Sequence, residues 1–247
     1  MTICINENKE TNGKEAALKG GLLIQKTLNE KGSARIILAT GASQFEMISE
    51  LIKADIDWSK VEVFHLDEYI GIPESHKASF RKYLKERFEA KVSNLKAFHY
   101  IKGDAENLDE ELSRINGLIS RDIIDVAFVG IGENAHLAFN DPPADFETEI
   151  PYLVVNLDEE CRKQQLNEGW FSSLEDVPRQ AVSMSVRQIM KSTYIINTVP
   201  DKRKAAAVSC SVNGKINKKC PASILQIHEN CYSFFDRESA SLLRFDQ

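Results

Sequence analysis

Short apolar runs without alternation, each passing into a segment of helical periodicity, most limit what this chain can fold into. Residues 35–39 form such a run and close on Thr40-Gly41, after which Phe45, Ile48 and Ile52 recur at helical spacing. Residues 61–66 form another, followed by Phe80, Tyr83, Leu84 and Phe88 on one helical face. The clearest is 126–129, Val-Ala-Phe-Val. A strand apolar on both faces is buried on both faces, as in a parallel sheet covered by helices. Parallel neighbours need long crossovers, and the intervening helices supply them. The fold class expected is α/β, a mostly parallel sheet with helices on both faces.

The rest of the chain fits that scheme. Ala17, Gly21, Ile24 and Leu28 mark a first helix, and Leu108, Leu112, Ile115 and Ile119 a later one. Strands are expected at 152–155, 181–184, 194–198 and 232–235, helices at 201–210 and 222–227, and a short helix at the C-terminal end. Residues 140–150, with Pro142 and Pro143, are the longest irregular stretch. No repeat, low-complexity tract or shift of composition divides the chain, so residues 1–247 are read as one domain. Ligands of such sheets bind beyond the carboxyl ends of the strands. The places to search are therefore just after Ala39, Leu66 and Val129.

Composition removes several classes of function. A formal net charge of -6 argues against nucleic acid, which demands a basic face. The basic clusters at 202–204 and 215–219 are short. No apolar run approaches the ~18 residues of a membrane span, and the N-terminal segment has no apolar signal core. The five cysteines, Cys4, Cys161, Cys210, Cys220 and Cys231, are odd in number and contain no CxxC pair. Free buried thiols and a reducing, cytoplasmic location are expected, with no structural metal.

Three strand ends carry chemistry. The turn Thr40-Gly41-Ala42-Ser43 joins a buried strand to a helix, where free backbone N–H groups and the helix dipole favour phosphate. Taken alone it is an ordinary α/β turn with an N-cap serine. The segment Asp67-Glu68-Tyr69 sets two carboxylates after a strand. One of them can serve as a general base if its neighbours tune it. Adjacent side chains of an extended segment point apart, so at most one faces a substrate, and the other does structural work. The third segment runs from Gly130 to Pro142. Gly130 and Gly132 suggest close approach of backbone to a ligand, His136 is a candidate acid or base, and Asp141 is placed to orient its imidazole. His65, His76, His99 and His228 are read as structural.

Together these segments resemble the glucosamine-6-phosphate deaminase/isomerase family, which is related to the 6-phosphogluconolactonases. The family's Thr-Gly-small-Ser/Thr phosphate turn is matched by residues 40–43, and its Asp-Glu-Tyr motif by 67–69. Its Gly-Ile-Gly-x-Asp-Gly-His-Ile-Ala-Phe-Asn-Glu-Pro signature is matched by 130–142, and its phosphate-binding Lys-Ala pair by Lys204-Ala205. Residues 221–228 resemble another recurring segment, and the Ala-Phe-Asn ending favours the deaminase branch. The resemblance covers most of the chain from Ile36 onward.

The family fold implied is Rossmann-like and doubly wound. The activity implied is conversion of an aminosugar phosphate to a ketose phosphate and ammonia. Phosphate would sit on Thr40, Gly41, Ala42, Ser43 and Lys204. Asp67 would move the proton beside the carbonyl, His136 would open the ring, and Glu68 and Asp141 would support them. No cofactor or metal is implied, and homo-oligomers are common in the family. The sequence departs from the signature at Asn134, where the family has Asp, at Ala135, where it has Gly, and at Asp141, where it has Glu. Asn134 can hydrogen-bond an imidazole but cannot stabilise an imidazolium as a carboxylate does. The family's second phosphate-binding arginine aligns near Gly169, leaving Arg162 and Arg179 as alternatives. Lactone hydrolysis, a related isomerisation or a non-catalytic sugar-phosphate sensor are the other readings.

Overall fold

The computed structural model describes residues 1–244. Its order is β1 (Thr2–Asn6), α1 (Lys9–Lys31), β2 (Ala34–Leu38), α2 (Phe45–Leu51), β3 (Val61–His65), β4 (Asp67–Tyr69), α3 (Phe80–Arg87), β5 (Ala97–His99), α4 (Leu108–Ile119), β6 (Val126–Val129), β7 (Tyr152–Asn156), α5 (Glu159–Asn167), β8 (Gln180–Met184), α6 (Val186–Met190), β9 (Tyr194–Val199), α7 (Ala205–Asn213) and β10 (Cys231–Asp236).

A seven-stranded sheet in the order β1-β10-β9-β6-β2-β3-β5 is parallel throughout. Its unalternating strands bury both faces, as the apolar runs require. Ile36 and Leu38 pack with Ala16, Ile24, Met47 and Ile48 of α1 and α2 on one side. Ile37 packs with Ala127, Ile115, Ile119 and Val208 on the other. Strand order reverses between β2 and β6: β3 and β5 lie to one side, β9, β10 and β1 to the other. That reversal opens a crevice at the carboxyl ends of the strands, the binding place of a doubly wound sheet.

Three parts of the sequence reading need correction. The strands expected at 152–155 and 181–184 form, but as β7 and β8 of a separate three-stranded antiparallel sheet, β4-β8-β7. β7 is only half-buried along its length, so it sits at an edge rather than within the parallel sheet. Residues 221–227 are helical as expected, in the tighter 3-10 form, but residues 237–242 form turns where a short helix was expected. The expectation that every cysteine is a free thiol fails for Cys210 and Cys220. These are paired, one at the end of α7 and one in the loop after it. Cys4, Cys161 and Cys231 are free. No helix among the described residues is long and apolar enough to cross a membrane.

Candidate active site

A cleft of about 290 Å³ opens where β2, β3, β6 and β9 end. At its first end the chain leaves β2 through Ala39, whose N–H still donates to Phe128 O at 3.0 Å. Gly41 follows at φ 97, a backbone state that any Cβ would strain. Its carbonyl accepts from Gln44 N at 3.1 Å and from the Tyr83 hydroxyl at 2.9 Å, which fixes the turn. Among the described residues, the backbone N–H groups of Thr40, Gly41, Ala42 and Ser43 find no protein acceptor. All of these residues line the cleft. These residues are half-buried or exposed, so the row of free donors lies open to an anion or to water.

Lys204 enters the same end from the turn after β9. It is 6% exposed, and among the described residues no carboxylate lies within 4.0 Å of its amino group. Burial lowers its pKa, while Glu168 and Glu133 act to keep it charged. Arg203 and Lys9 also border the cleft, but each is already paired: Arg203 with Asp201 at 2.8 Å and Glu133 at 3.6 Å, Lys9 with Glu46 at 3.2 Å.

The second end is built from side chains. Asp67 opens β4 opposite Ser183 of β8, lines the cleft and is 7% exposed. Burial, assisted by the negative Glu68 beside it, pushes its carboxyl up to about 8. Glu68 points the other way, as strand alternation requires. Its carboxylate accepts from Ser79 Oγ at 2.9 Å, Phe80 N at 3.1 Å and Arg81 N at 2.9 Å, and pairs with Arg81 Nε at 3.3 Å. It therefore holds the N-terminus of α3 and does not line the cleft. The supporting role expected of Glu68 beside the catalytic residues is thus structural, exerted at α3 and not at the substrate.

His136 also lines the cleft. Its Nδ1 is 3.0 Å from Asp141 Oδ1. With Nδ1–H donating to that carboxylate, Nε2 is left as the basic nitrogen. Asn134 acts twice: its Nδ2 donates to Asp141 Oδ1 at 3.0 Å, and its Oδ1 accepts from His136 N at 3.1 Å. Asp158 N adds a bond to Asp141 Oδ2 at 3.3 Å. Burial pushes Asp141 up, but these donors outweigh it and hold its carboxyl below the usual range. The two acids are thus driven in opposite directions, Asp67 in the cleft towards neutrality and Asp141 behind His136 towards charge.

The loop that carries His136 is pinned to the second sheet. Phe139 N donates to Ser183 Oγ at 3.0 Å, and Asn140 Nδ2 to Met184 O at 2.8 Å. Gly130 and Gly132 border the cleft, yet their missing side chains serve other groups than a ligand. A Cβ at Gly132 would stand 2.3 Å from His136 Nε2, and one at Gly130 would stand 2.8 Å from Gln44 Nε2. Ala135 adopts φ 67, where the family signature has glycine.

His136, Asp141 and Cys161 each bring one ligand atom within 4.8 Å of the others. Here the imidazole and carboxylate are hydrogen-bonded to each other, and burial holds the Cys161 thiol protonated. That is a hydrogen-bonded set rather than a ready metal centre. The remaining histidines are structural: His65 Nε2 accepts from Ile101 N at 2.9 Å, and burial lowers its pKa to about 3.

Neither arginine left open by the sequence reaches the cleft. The Arg162 guanidinium is bound to the carbonyls of Leu174 and Val177, and Arg179 is exposed beside the start of β8. The arginine at the cleft is Arg203. The sequence also gave no sign of Gln164, Gln165 and Glu168, which line it from α5. That helix is polar along its length and lacked an apolar stripe; its legible signal was Asp158, an N-cap that accepts from Cys161 N at 2.6 Å.

The model of the glucosamine-6-phosphate isomerase/6-phosphogluconolactonase family matches residues 7–233. A glucosamine-6-phosphate deaminase of Bacillus cytotoxicus is 34% identical over 242 residues, covering 98% of this chain and 89% of the relative. One from Staphylococcus epidermidis is 39% identical over 224 residues, covering 87% and 90%. Among solved structures, a monomeric glucosamine-6-phosphate deaminase superposes with a TM-score of 0.87 at 29% identity, covering 98% of this chain and 100% of that one. A Trypanosoma brucei 6-phosphogluconolactonase shares the fold, with a TM-score of 0.79 at 16% identity over 98% of both chains. A match spanning nearly every element, the motif loops among them, fixes the descent: the chain belongs to the glucosamine-6-phosphate isomerase/6-phosphogluconolactonase family.

Proposed function

We propose that this chain is a glucosamine-6-phosphate deaminase, converting glucosamine 6-phosphate and water to fructose 6-phosphate and ammonia. The observation that carries the reading is the two-ended cleft. Unpartnered main-chain donors and a buried, unpaired lysine stand at one end. A carboxyl raised to about 8 and a His–Asp couple stand at the other. The named relatives act in the same direction.

In this mechanism the phosphate rests on the N–H groups of residues 40–43 and on Lys204, and that remote binding holds the reacting carbons in place. His136 Nε2, with Nδ1 fixed by Asp141, moves a proton at the ring oxygen and opens the pyranose. Asp67, once ionised, removes the proton beside the carbonyl and returns it to the neighbouring carbon. A base with a raised pKa is better matched to that transfer than an ordinary carboxylate. The proton shift leaves the nitrogen-bearing carbon as an iminium; water adds to it, and ammonia is expelled as the ketose carbonyl forms.

A solved glucosamine-6-phosphate deaminase of this fold is monomeric, which supports a monomer here. Sedimentation at assay concentration tests this against the homo-oligomer common in the family. A cytoplasmic location follows from the same reading and is tested by cell fractionation. The deciding experiment measures ammonia and fructose 6-phosphate from glucosamine 6-phosphate, with 6-phosphogluconolactone as a second substrate. Equal ammonia and ketose are expected. Lactone hydrolysis without ammonia overturns the reading, and so does a ligand-induced rise in melting temperature without turnover.

A further inference from the structure

The charges around the cleft are matched unevenly. Lys9 and Arg203 each have a carboxylate close by, whereas Lys204 has none within 4.0 Å among the described residues. Glu168 lines the same cleft, and among the described residues it forms no ion pair either. Its carboxylate is held by neutral donors instead: Gln164 Nε2 at 3.0 Å and Trp170 Nε1 at 3.2 Å. Glu168 also caps the C-terminus of α5, where a helix dipole disfavours negative charge. Helix stability does not explain an acid there. Of the charges acting on Lys204, that of Glu168 is the largest, and Glu133 follows.

We infer that Glu168 determines affinity at the phosphate end: fixed by Gln164 and Trp170, its carboxylate competes with the substrate phosphate for Lys204 and weakens phosphate binding. The inference rests on the phosphate-end reading above. It assigns a specificity role to a residue on an element whose sequence gives no sign of one. A phosphate bound in the cleft shares it with a carboxylate of its own sign that cannot turn away without losing both hydrogen bonds. The cleft is thereby set to release phosphorylated product rather than retain it.

The test compares inhibition by inorganic phosphate and KM for glucosamine 6-phosphate in the wild type, Glu168→Gln, Glu168→Asp and Lys204→Ala proteins. Glutamine keeps the size of the side chain and loses the charge. Glu168→Gln is expected to lower both the phosphate inhibition constant and KM by about three- to tenfold at low salt, as removal of a partly screened like charge should. Glu168→Asp, which retains the charge, should not gain affinity. In a Lys204→Ala background the gain from Glu168→Gln should shrink, because the contested cation is gone. Damage to the fold does not tighten binding, so the direction of the change separates electrostatics from packing. If Lys204→Ala weakens phosphate inhibition but Glu168→Gln leaves it unchanged or weaker, the inference is overturned and the phosphate end stands. If Lys204→Ala changes nothing, the phosphate reading itself fails.

Discussion

The two ends of the cleft are built on opposite principles. The phosphate end consists of donors left without acceptors: the N–H groups of residues 40–43 and the buried Lys204. The reactive end leaves few polar atoms unmanaged. Asp141 is held charged by Asn134, His136 and Asp158, while Asp67 has only burial and a negative neighbour. A binding site stores electrostatic need for its ligand to meet, whereas an acid–base site splits the ionisation of its own groups. Variants at the two ends should therefore fail differently.

The largest effect is expected at Asp67. Asp67→Asn should lower kcat by about 10²–10⁴-fold, the usual worth of a general base, with phosphate inhibition unchanged. Wild-type turnover in this variant would remove the proposed base. A second consequence follows from the raised pKa. In the wild type, kcat/KM should climb with pH and level off above about 8, as Asp67 ionises. A carboxyl raised on folding binds its proton more tightly in the native state. Its contribution to stability is thus complete below the unfolded pKa of about 4 and is lost as pH rises towards 8. Asp67→Asn removes that loss, so its melting temperature should exceed that of the wild type at pH 8 and match it more closely at pH 5. A flat pH profile of kcat/KM between 6 and 9 would sink the assignment.

Lys204→Ala should show the contrary pattern. The charge-assisted bonds it offers to phosphate are each worth about 1.5–3 kcal/mol, so KM should rise by roughly 10- to 100-fold, with a smaller change in kcat. An unpaired buried cation is itself unfavourable, so the unliganded variant should melt no lower than the wild type. A fall in KM would reverse the assignment of the two ends.

How much of this was legible depended on whether a residue's role is local. The runs at 35–39, 61–66 and 126–129 declare themselves because burial on both faces demands apolarity at every position. The strands β7 and β8 have comparable runs, but only the path of the chain decides that they pair with β4 instead of joining the parallel sheet. β1, with a polar end, and β5, of three residues, carry too little apolar signal. α5 buries Cys161, Gln164 and Gln165, which share one helical face, but two of the three are polar and show no apolar stripe. Within the site, the turn at 40–43 and the 130–142 loop were legible as motifs. Alternation along β4 also required that only one of Asp67 and Glu68 face the cleft, without saying which. Arg203 and Glu168 were not legible, because their importance comes from where β9 and α5 end in space.

Asn134 offers a finer probe of the reactive end. Its Nδ2 lies 3.0 Å from Asp141 Oδ1, so Asn134→Asp would set two carboxyls against each other. One of them must then hold a proton at neutral pH. The expected result is a several-fold fall in kcat/KM at pH 7 and a displaced acidic limb of the pH profile, with phosphate inhibition unaltered. An unchanged profile would mean that Asn134 does not act through Asp141.

The smallest effect is expected next to it. Ala135 sits at φ 67 and is 3% exposed. A left-handed conformation costs a residue with a Cβ about 1–2 kcal/mol, which Ala135→Gly would relieve. The same change loosens the unfolded chain by about 0.4–1 kcal/mol and removes a buried methyl worth about 0.8 kcal/mol. These terms nearly cancel, so Ala135→Gly should leave stability within about 1 kcal/mol of wild type. This near-balance explains how alanine stands where the family signature has glycine. A loss above about 2 kcal/mol would show that the methyl in the core, which touches neither end of the cleft, outweighs the backbone beneath His136.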